Sequence, residues 1–208
     1  MKRKLYVTLS AVLAAGMFAA CGQPFQASVS TVYITEKGTV IGADIEDFNE
    51  KYYDEKELKN YITESVDSYV AENGDGSVEL ESFEISSSKD KGSVARLYLN
   101  YASYIDYAQF NDVTLFAGTV KQAKEREYSF DQPFLKVEDG KLAEGVDEKE
   151  LEKEDLNVVV VGENIHIKVD GKIQYVSDGN VKVVEKDTAE AAFDADNPGA
   201  EPAYILYQ

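Results

Sequence analysis

Hydrophobic and polar positions alternate with period two over several short stretches of the chain and switch to helical spacing in others. Val32 and Ile34 alternate with Thr31, Tyr33 and Thr35; Glu36-Lys37-Gly38 turns, and Val40, Ile41, Ala43 and Ile45 return, which predicts a hairpin over 30–46. Asp54 and Glu57 have the spacing of a capping box. Behind them Leu58, Tyr61, Ile62, Val66, Tyr69 and Val70 share one helical stripe that ends at Asn73-Gly74. Strands are predicted over 78–85, with Val78 and Leu80 inward, and over 93–101, around a turn at 86–92. A shorter helix starts at Ser103, paired with Asp106, and carries Tyr104, Ile105, Tyr107, Ala108 and Phe110. A strand over 113–117 leads to a third helix opened by Gly118-Thr119, where Thr119 and Gln122 repeat the capping-box spacing.

After Glu127 the pattern changes. Residues 128–137 are aromatic-rich and read as extended, Asp139-Gly140 as a turn, and 144–155 as an acidic solvated stretch with at most a short helix from Asp147. Four strands follow over 157–161, 165–169, 173–177 and 181–185, separated by Gly162-Glu163-Asn164, Asp170-Gly171 and Asp178-Gly179-Asn180. Residues 194–202 form a loop, and 203–207 a last strand that should be docked, because Tyr204, Ile205, Leu206 and Tyr207 are costly to leave in water. The order β-β-α-β-β-α-β-α, then a β-meander, predicts an α+β fold, mainly antiparallel, with helices on one face. Residues 30–208 are read as one acidic α+β domain; a subdomain boundary near Glu127 is left open, although no flexible linker marks it.

The 44% of apolar residues, with fourteen Tyr and only four Pro, describe a folded chain despite the high charge. The first twenty-one residues stand apart from it. Lys2, Arg3 and Lys4 make a positive start, and Leu5 to Ala20 a largely apolar run of sixteen residues. As a helix that run would span about 24 Å, short of the roughly 30 Å hydrocarbon core, so it reads as an export signal and not a permanent span. Phe18-Ala19-Ala20-Cys21-Gly22 resembles the lipobox of bacterial lipoproteins, with Phe18 where Leu is usual. The resemblance implies cleavage before Cys21, residues 1–20 being the signal peptide, and attachment of membrane lipid to the Cys21 thiol. Ordinary cleavage after Gly22, using Ala20 and Gly22 as the small residues, is the alternative.

Cleavage before Cys21 leaves 188 residues, with 21–29 as lipidated cysteine and short tether. The mature chain then carries 18 Lys+Arg against 39 Asp+Glu, a net charge of −21. Such a surface repels phosphate backbones and anionic lipid, so nucleic acid is an unsuitable partner and membrane residence falls to the acylated cysteine. Cys21 is the only cysteine, so no intrachain disulfide can form and stability must come from core burial.

Three further stretches, Tyr52-Tyr53-Asp54-Glu55, the segment from Asp106-Tyr107-Ala108-Gln109-Phe110-Asn111 through Leu115-Phe116-Ala117-Gly118-Thr119-Val120, and Gly171-Lys172-Ile173-Gln174-Tyr175-Val176-Ser177, resemble uncharacterised lipoproteins of gut clostridia. The resemblance covers most of the mature chain. It implies anchoring at the extracellular face of a Gram-positive cell membrane and implies no chemistry.

The residues themselves name no reaction. Asn73-Gly74-Asp75-Gly76-Ser77 with Glu84 mimics part of a calcium loop, but its first position is Asn, and Val78 stands where glycine is needed. The stretch is better read as helix cap, turn and strand. His166, the only histidine, lies between Ile165 and Ile167 and should face away from the core. H-E-x-x-H, C-x-x-C pairs, Walker A and G-x-G-x-x-G are absent, so no metal site and no cofactor is expected. With 39 acids, carboxylate pairs arise by coincidence, and spacing cannot single out a glycosidase-type pair. Tyr52, Tyr53, Tyr104 and Tyr107 are the candidate binding surface, weighed against ordinary amphipathic packing. The expectation is a non-catalytic module binding an envelope or extracellular ligand; the alternative is an envelope hydrolase using carboxylates.

Overall fold

The computed structural model describes residues 25–88, 92–146, 148–151, 155–193 and 201–208. The signal segment and Cys21 lie outside the described residues, as do the tip of the 86–92 turn and most of the 194–202 loop. The first hairpin pairs β1 (Thr31–Ile34) with β2 (Val40–Asp47), turning at Gly38, whose φ of 79° suits glycine. Helix α1 (Glu55–Asn73) starts where the Asp54 carboxylate accepts from the Glu57 N–H at 2.9 Å, and stops at Gly74, φ 101°. Next come β3 (Val78–Ser88), β4 (Gly92–Tyr101), α2 (Tyr104–Asn111, capped by Ser103), β5 (Leu115–Thr119) and α3 (Val120–Glu125). The α3 cap is reciprocal, as its spacing predicts: Thr119 and Gln122 each accept from the other's backbone N–H.

The second half contributes β6 (Phe134–Glu138), β7 (Lys141–Val146), α4 (Glu148–Leu151) and β8 (Asn157–Val161), and then β9 (Ile165–Val169), β10 (Ile173–Ser177), β11 (Val181–Glu185), β12 (Thr188–Ala191) and β13 (Ala203–Tyr207). Two sheets result, ordered β11-β12-β9-β1-β2-β4-β3 and β5-β8-β13-β10-β6-β7, and the fold is α+β. The pairing is antiparallel except between β1 and β9. The expected meander is dealt alternately between the sheets, with β8 and β10 in one and β9 and β11 in the other. A cut near residue 127 would sever the β1–β9 and β5–β8 ladders. The stretch 144–155, expected to be solvated, begins within β7 and includes Leu151, which is fully buried.

The sheets share one core. Val32, Ile34, Ile167 and Leu99 of the first meet Val159, Val161 and Ile205 of the second, along with Val66 of α1 and Tyr107 of α2. The opposite face of the second sheet is buried too, with Phe116, Val158, Val160, Tyr204 and Leu206 packing on Val120, Ala123 and Leu151. That double cover explains why all five residues of β13 are buried. At β10 a register shift between Ile173 and Tyr175 turns these two onto opposite faces, one into each cluster.

On the first sheet's other face the Phe25 ring lies 5.1 Å from Tyr33 and 6.3 Å from Tyr98, and the Ala27 N–H donates to the Tyr98 hydroxyl at 3.0 Å. Residues 25–29, within the stretch read as tether, are therefore laid along the sheet.

Candidate functional site

Helices α1 and α2 both lie on the inner face of the first sheet, over β2, β4 and β3, and leave a groove of about 540 Å³ between them. Its floor is Leu97 and Leu99 of β4, beside Asp44 of β2. One wall presents Ile62, Ser65, Ser68 and Tyr69 of α1, the other Gln109 and Phe110 of α2.

Strand alternation puts Asp44 there. Val40, Gly42 and Asp44 occupy successive inward positions, opposite Tyr101, Leu99 and Leu97. A Cβ at position 42 would come within 3.2 Å of the Tyr101 ring and 3.4 Å of the Tyr107 ring, so glycine makes room for that aromatic pair. The rings meet edge to face at 5.1 Å, and Phe110 extends the cluster at 5.7 Å from Tyr101. Two residues further on, beyond the aromatic cover, the Asp44 side chain opens into the groove.

The polar groups around this cluster bond in a defined order. The Tyr107 hydroxyl donates to Glu163 Oε1 at 3.1 Å. The Asn111 amide donates to the Tyr101 hydroxyl at 3.2 Å and to the Tyr107 carbonyl at 2.9 Å. Tyr69 donates to Gln109 Oε1 at 3.1 Å, which ties α1 to α2 across the groove. Asp44 is exposed to the groove, yet the protein packed around its carboxyl raises its pKa, with Glu46 adding to the shift. Burial likewise raises Glu163; the Tyr107 bond opposes that, and the charge of Asp44 adds to it. The Tyr101 and Tyr107 phenols are pushed far up, chiefly by burial, and stay protonated. No hydrogen bond or ion pair engages the Asp44 carboxylate among the described residues, and neither Lys nor Arg lines the groove.

The four tyrosines singled out from the sequence are not brought together. Tyr52 is 77% exposed and Tyr53 43%, their rings meeting edge to face at 4.9 Å just before α1. Tyr104 lies across α2 against Phe116, with the Arg126 guanidinium above it, and Tyr107 is buried. His166 faces outward as expected, opposite Glu190, at a shallow pocket of about 300 Å³ lined also by Val29 and Phe193. The calcium-loop look-alike is spent on the Gly74 cap, a turn at Gly76 and the start of β3. No cluster of three metal-ligating side chains occurs among the described residues.

Asp44, Gly42 and Glu163 were not legible as site residues by motif. One signal for Asp44 was available: a carboxylate in the third inward position of an alternating strand breaks the apolar face. Chemically, the groove offers one carboxylate on an apolar floor, hydroxyls and amides on its walls, and no imidazole beside its serines. Comparison of the chain with known protein families, with curated proteins and with solved structures finds no match.

Proposed function

We propose that this protein is a lipid-anchored module of the cell surface that binds an envelope or extracellular ligand in the groove between α1 and α2, without catalysing a reaction. The observation that carries the binding reading is the groove itself, walled by two helices and floored by Leu97, Leu99 and the unpaired Asp44. Its volume suits a side chain or a small molecule. The anchor reading rests on the sequence around Cys21 and gains support from the docked Phe25. Only residues 22–24 separate the two, a reach of about 14 Å at full extension, which would keep the folded body beside the bilayer. No helix among the described residues is long and apolar enough to cross a membrane.

Mass spectrometry of the processed N-terminus tests the anchor: a diacylated Cys21 is expected, and an unmodified chain starting at Gln23 would overturn it. Binding is tested by NMR titration of the processed chain with small-molecule fragments. Shifts clustered on Leu97, Leu99 and Gln109 are expected; fragments that bind elsewhere and never there would remove the groove from consideration.

A second reading, a hydrolase working through carboxylates, is favoured by the raised pKa values of Asp44 and Glu163, the charge of Asp44 contributing to the shift at Glu163. Against it, Glu163 commits an oxygen to Tyr107 and is not part of the groove lining. Turnover of envelope glycans by the wild type, lost in both Asp44→Asn and Glu163→Gln, would establish this reading over simple binding.

A further inference from the structure

We propose that the groove between α1 and α2 seats a primary ammonium on an alkyl chain, the group shared by a lysine side chain and a free polyamine, with the charge on Asp44 and the methylenes on Leu97 and Leu99. The inference rests on the binding reading above and names the chemistry of its ligand.

Four observations converge on it. First, the Asp44 carboxylate is exposed where it opens into the groove and has no hydrogen-bond or ion-pair partner among the described residues. An uncompensated anion at the side of a concave, partly apolar groove attracts a cation more strongly than one on an open surface, because the walls lower the effective dielectric between them. Second, the charged side chains of the lining are Asp44 and Glu72, both acidic, with Glu46 close enough to Asp44 to raise its pKa further. An anionic ligand would be repelled along the whole groove. Third, the floor beside Asp44 is the half-buried Leu97, backed by the buried Leu99 and Ile62, with the half-buried Phe110 in the opposite wall. These side chains can cover methylenes but give a small hydrated inorganic ion nothing. Fourth, Tyr61 is 69% exposed at the groove and offers a ring face to a passing cation.

Ammonium fits better than the other cations. A divalent metal requires several oxygen ligands from one cluster, and the described residues provide no such group. A guanidinium works best against coplanar acceptors, whereas the groove's acceptors besides Asp44 are spread over both walls, with Ser65, Ser68 and Glu72 on successive turns of α1 and Gln109 on α2. An ammonium, with three donors that rotate freely on a flexible stem, can use Asp44 and one hydroxyl without a shared plane.

The test is a calorimetric and NMR titration of the processed chain, at low salt, with 1,5-diaminopentane, spermidine and Nα-acetyl-lysine methylamide. Nε-acetylated lysine and 1-pentanol serve as uncharged controls. The amines should bind with shifts centred on Leu97 and Leu99, and the controls at least tenfold more weakly. Asp44→Asn should weaken the amines at least tenfold and Glu72→Gln less than threefold. Ser65→Phe, which fills the groove while leaving Asp44 in place, should abolish binding. Preference for the lysine amide over the two free amines identifies a protein or peptide source, and the reverse identifies a polyamine; either result supports the ammonium assignment. Equal affinity of wild type and Asp44→Asn would overturn it, as would equal affinity for acetylated and free lysine. Controls that bind in the groove while amines do not would overturn the ammonium assignment and leave the binding reading standing. Amine shifts confined to other surfaces would overturn the assignment without supplying a groove ligand.

Discussion

Removing one hydroxyl, in Tyr107→Phe, isolates the polar support behind the groove. Tyr107 is 5% exposed, and its ring would keep its edge-to-face contact with Tyr101 after the change, so the loss is confined to one bond. That bond, 3.1 Å to Glu163 Oε1, holds a carboxylate that burial and Asp44 already disfavour in its charged form. A hydrogen bond to a charged partner contributes roughly 1.5–3 kcal/mol. Glu163 is only half-buried and water can reach part of it, so the low end applies, and a loss of about 1–2 kcal/mol is expected at pH 7. For a chain of this size that corresponds to a fall in Tm of about 3–6 °C. The assay is urea and thermal unfolding followed by circular dichroism for wild type, Tyr107→Phe, Glu163→Gln and the double variant.

The pH dependence of the deficit follows from the same geometry. The Tyr107 bond favours ionised Glu163, so its removal raises the Glu163 pKa further and should hurt most where Glu163 is charged. Below the ordinary carboxylate value of 4.5 the deficit should shrink, because the protonated group is a weaker acceptor. The double-mutant cycle should return a coupling of about 1 kcal/mol at pH 7. A Tyr107→Phe loss below about 0.5 kcal/mol at pH 7, or the same loss in the Glu163→Gln background, would refute the account.

Asp44→Asn should stabilise the protein at pH 7. The folded pKa of Asp44 is raised above 3.8, so the unfolded chain releases this proton first as pH climbs, and folding loses stability through that window and above it. The urea midpoints of variant and wild type should therefore diverge upward from about pH 4, and a lower midpoint for the variant at pH 7 would contradict the sign. Ile205→Ala, at a fully buried position of β13 between the two sheets, should cost about 3–4 kcal/mol in chemical unfolding; a loss under about 1 kcal/mol would mean that the sheets do not share a core there. Phe25→Ala should cost about 1–2 kcal/mol and speed amide exchange at Ala27, whose N–H bonds to Tyr98; unchanged exchange would show that the segment is not held by the ring.

Much of this architecture could be read locally. The bounds 157–161, 165–169, 173–177 and 181–185 coincide with β8 to β11, because period-two alternation broken by Gly-Glu-Asn, Asp-Gly and Asp-Gly-Asn turns is a short-range signal. Caps at Asp54, Ser103 and Thr119 are local in the same sense. The allocation of those strands to sheets was not legible. Strand β9 pairs with β1, more than a hundred residues away, and that choice is made by tertiary burial of Ile167 against Val32. Strands β7 and β12 escaped notice for opposite reasons. Lys141–Val146 is an edge strand with a mostly exposed pattern, while the inward residues of Thr188–Ala191 are two alanines, too small to mark an apolar face. The α1 stripe was right in phase but broader than the contact it makes. Ile62 and Val66 are buried, whereas Tyr61 projects into solvent beside the groove.

The departures from simple patterning gather in one place. A glycine sits under two tyrosine rings, a phenol bonds a half-buried glutamate, and an aspartate interrupts the inward face of β2, all around α2. Elsewhere the buried residues are almost entirely apolar; of the buried polar exceptions, Ser177 is satisfied, donating to Asn180 at 2.7 Å and accepting from the Tyr204 N–H at 2.9 Å. Sites where local rules fail together are where function is to be sought first. The second sheet covers one part of the first and the two helices lie over another, and the gap between them leaves Leu97 half-buried beside Asp44, above the buried Leu99. Nothing in the packing requires a charge at that point. Asparagine would fit the same space and remove the cost of keeping an anion beside Glu46. The Asp44 carboxylate finds no compensating cation among the described residues; an ammonium arriving from outside would supply that compensation, with Leu97 beside it to cover its stem.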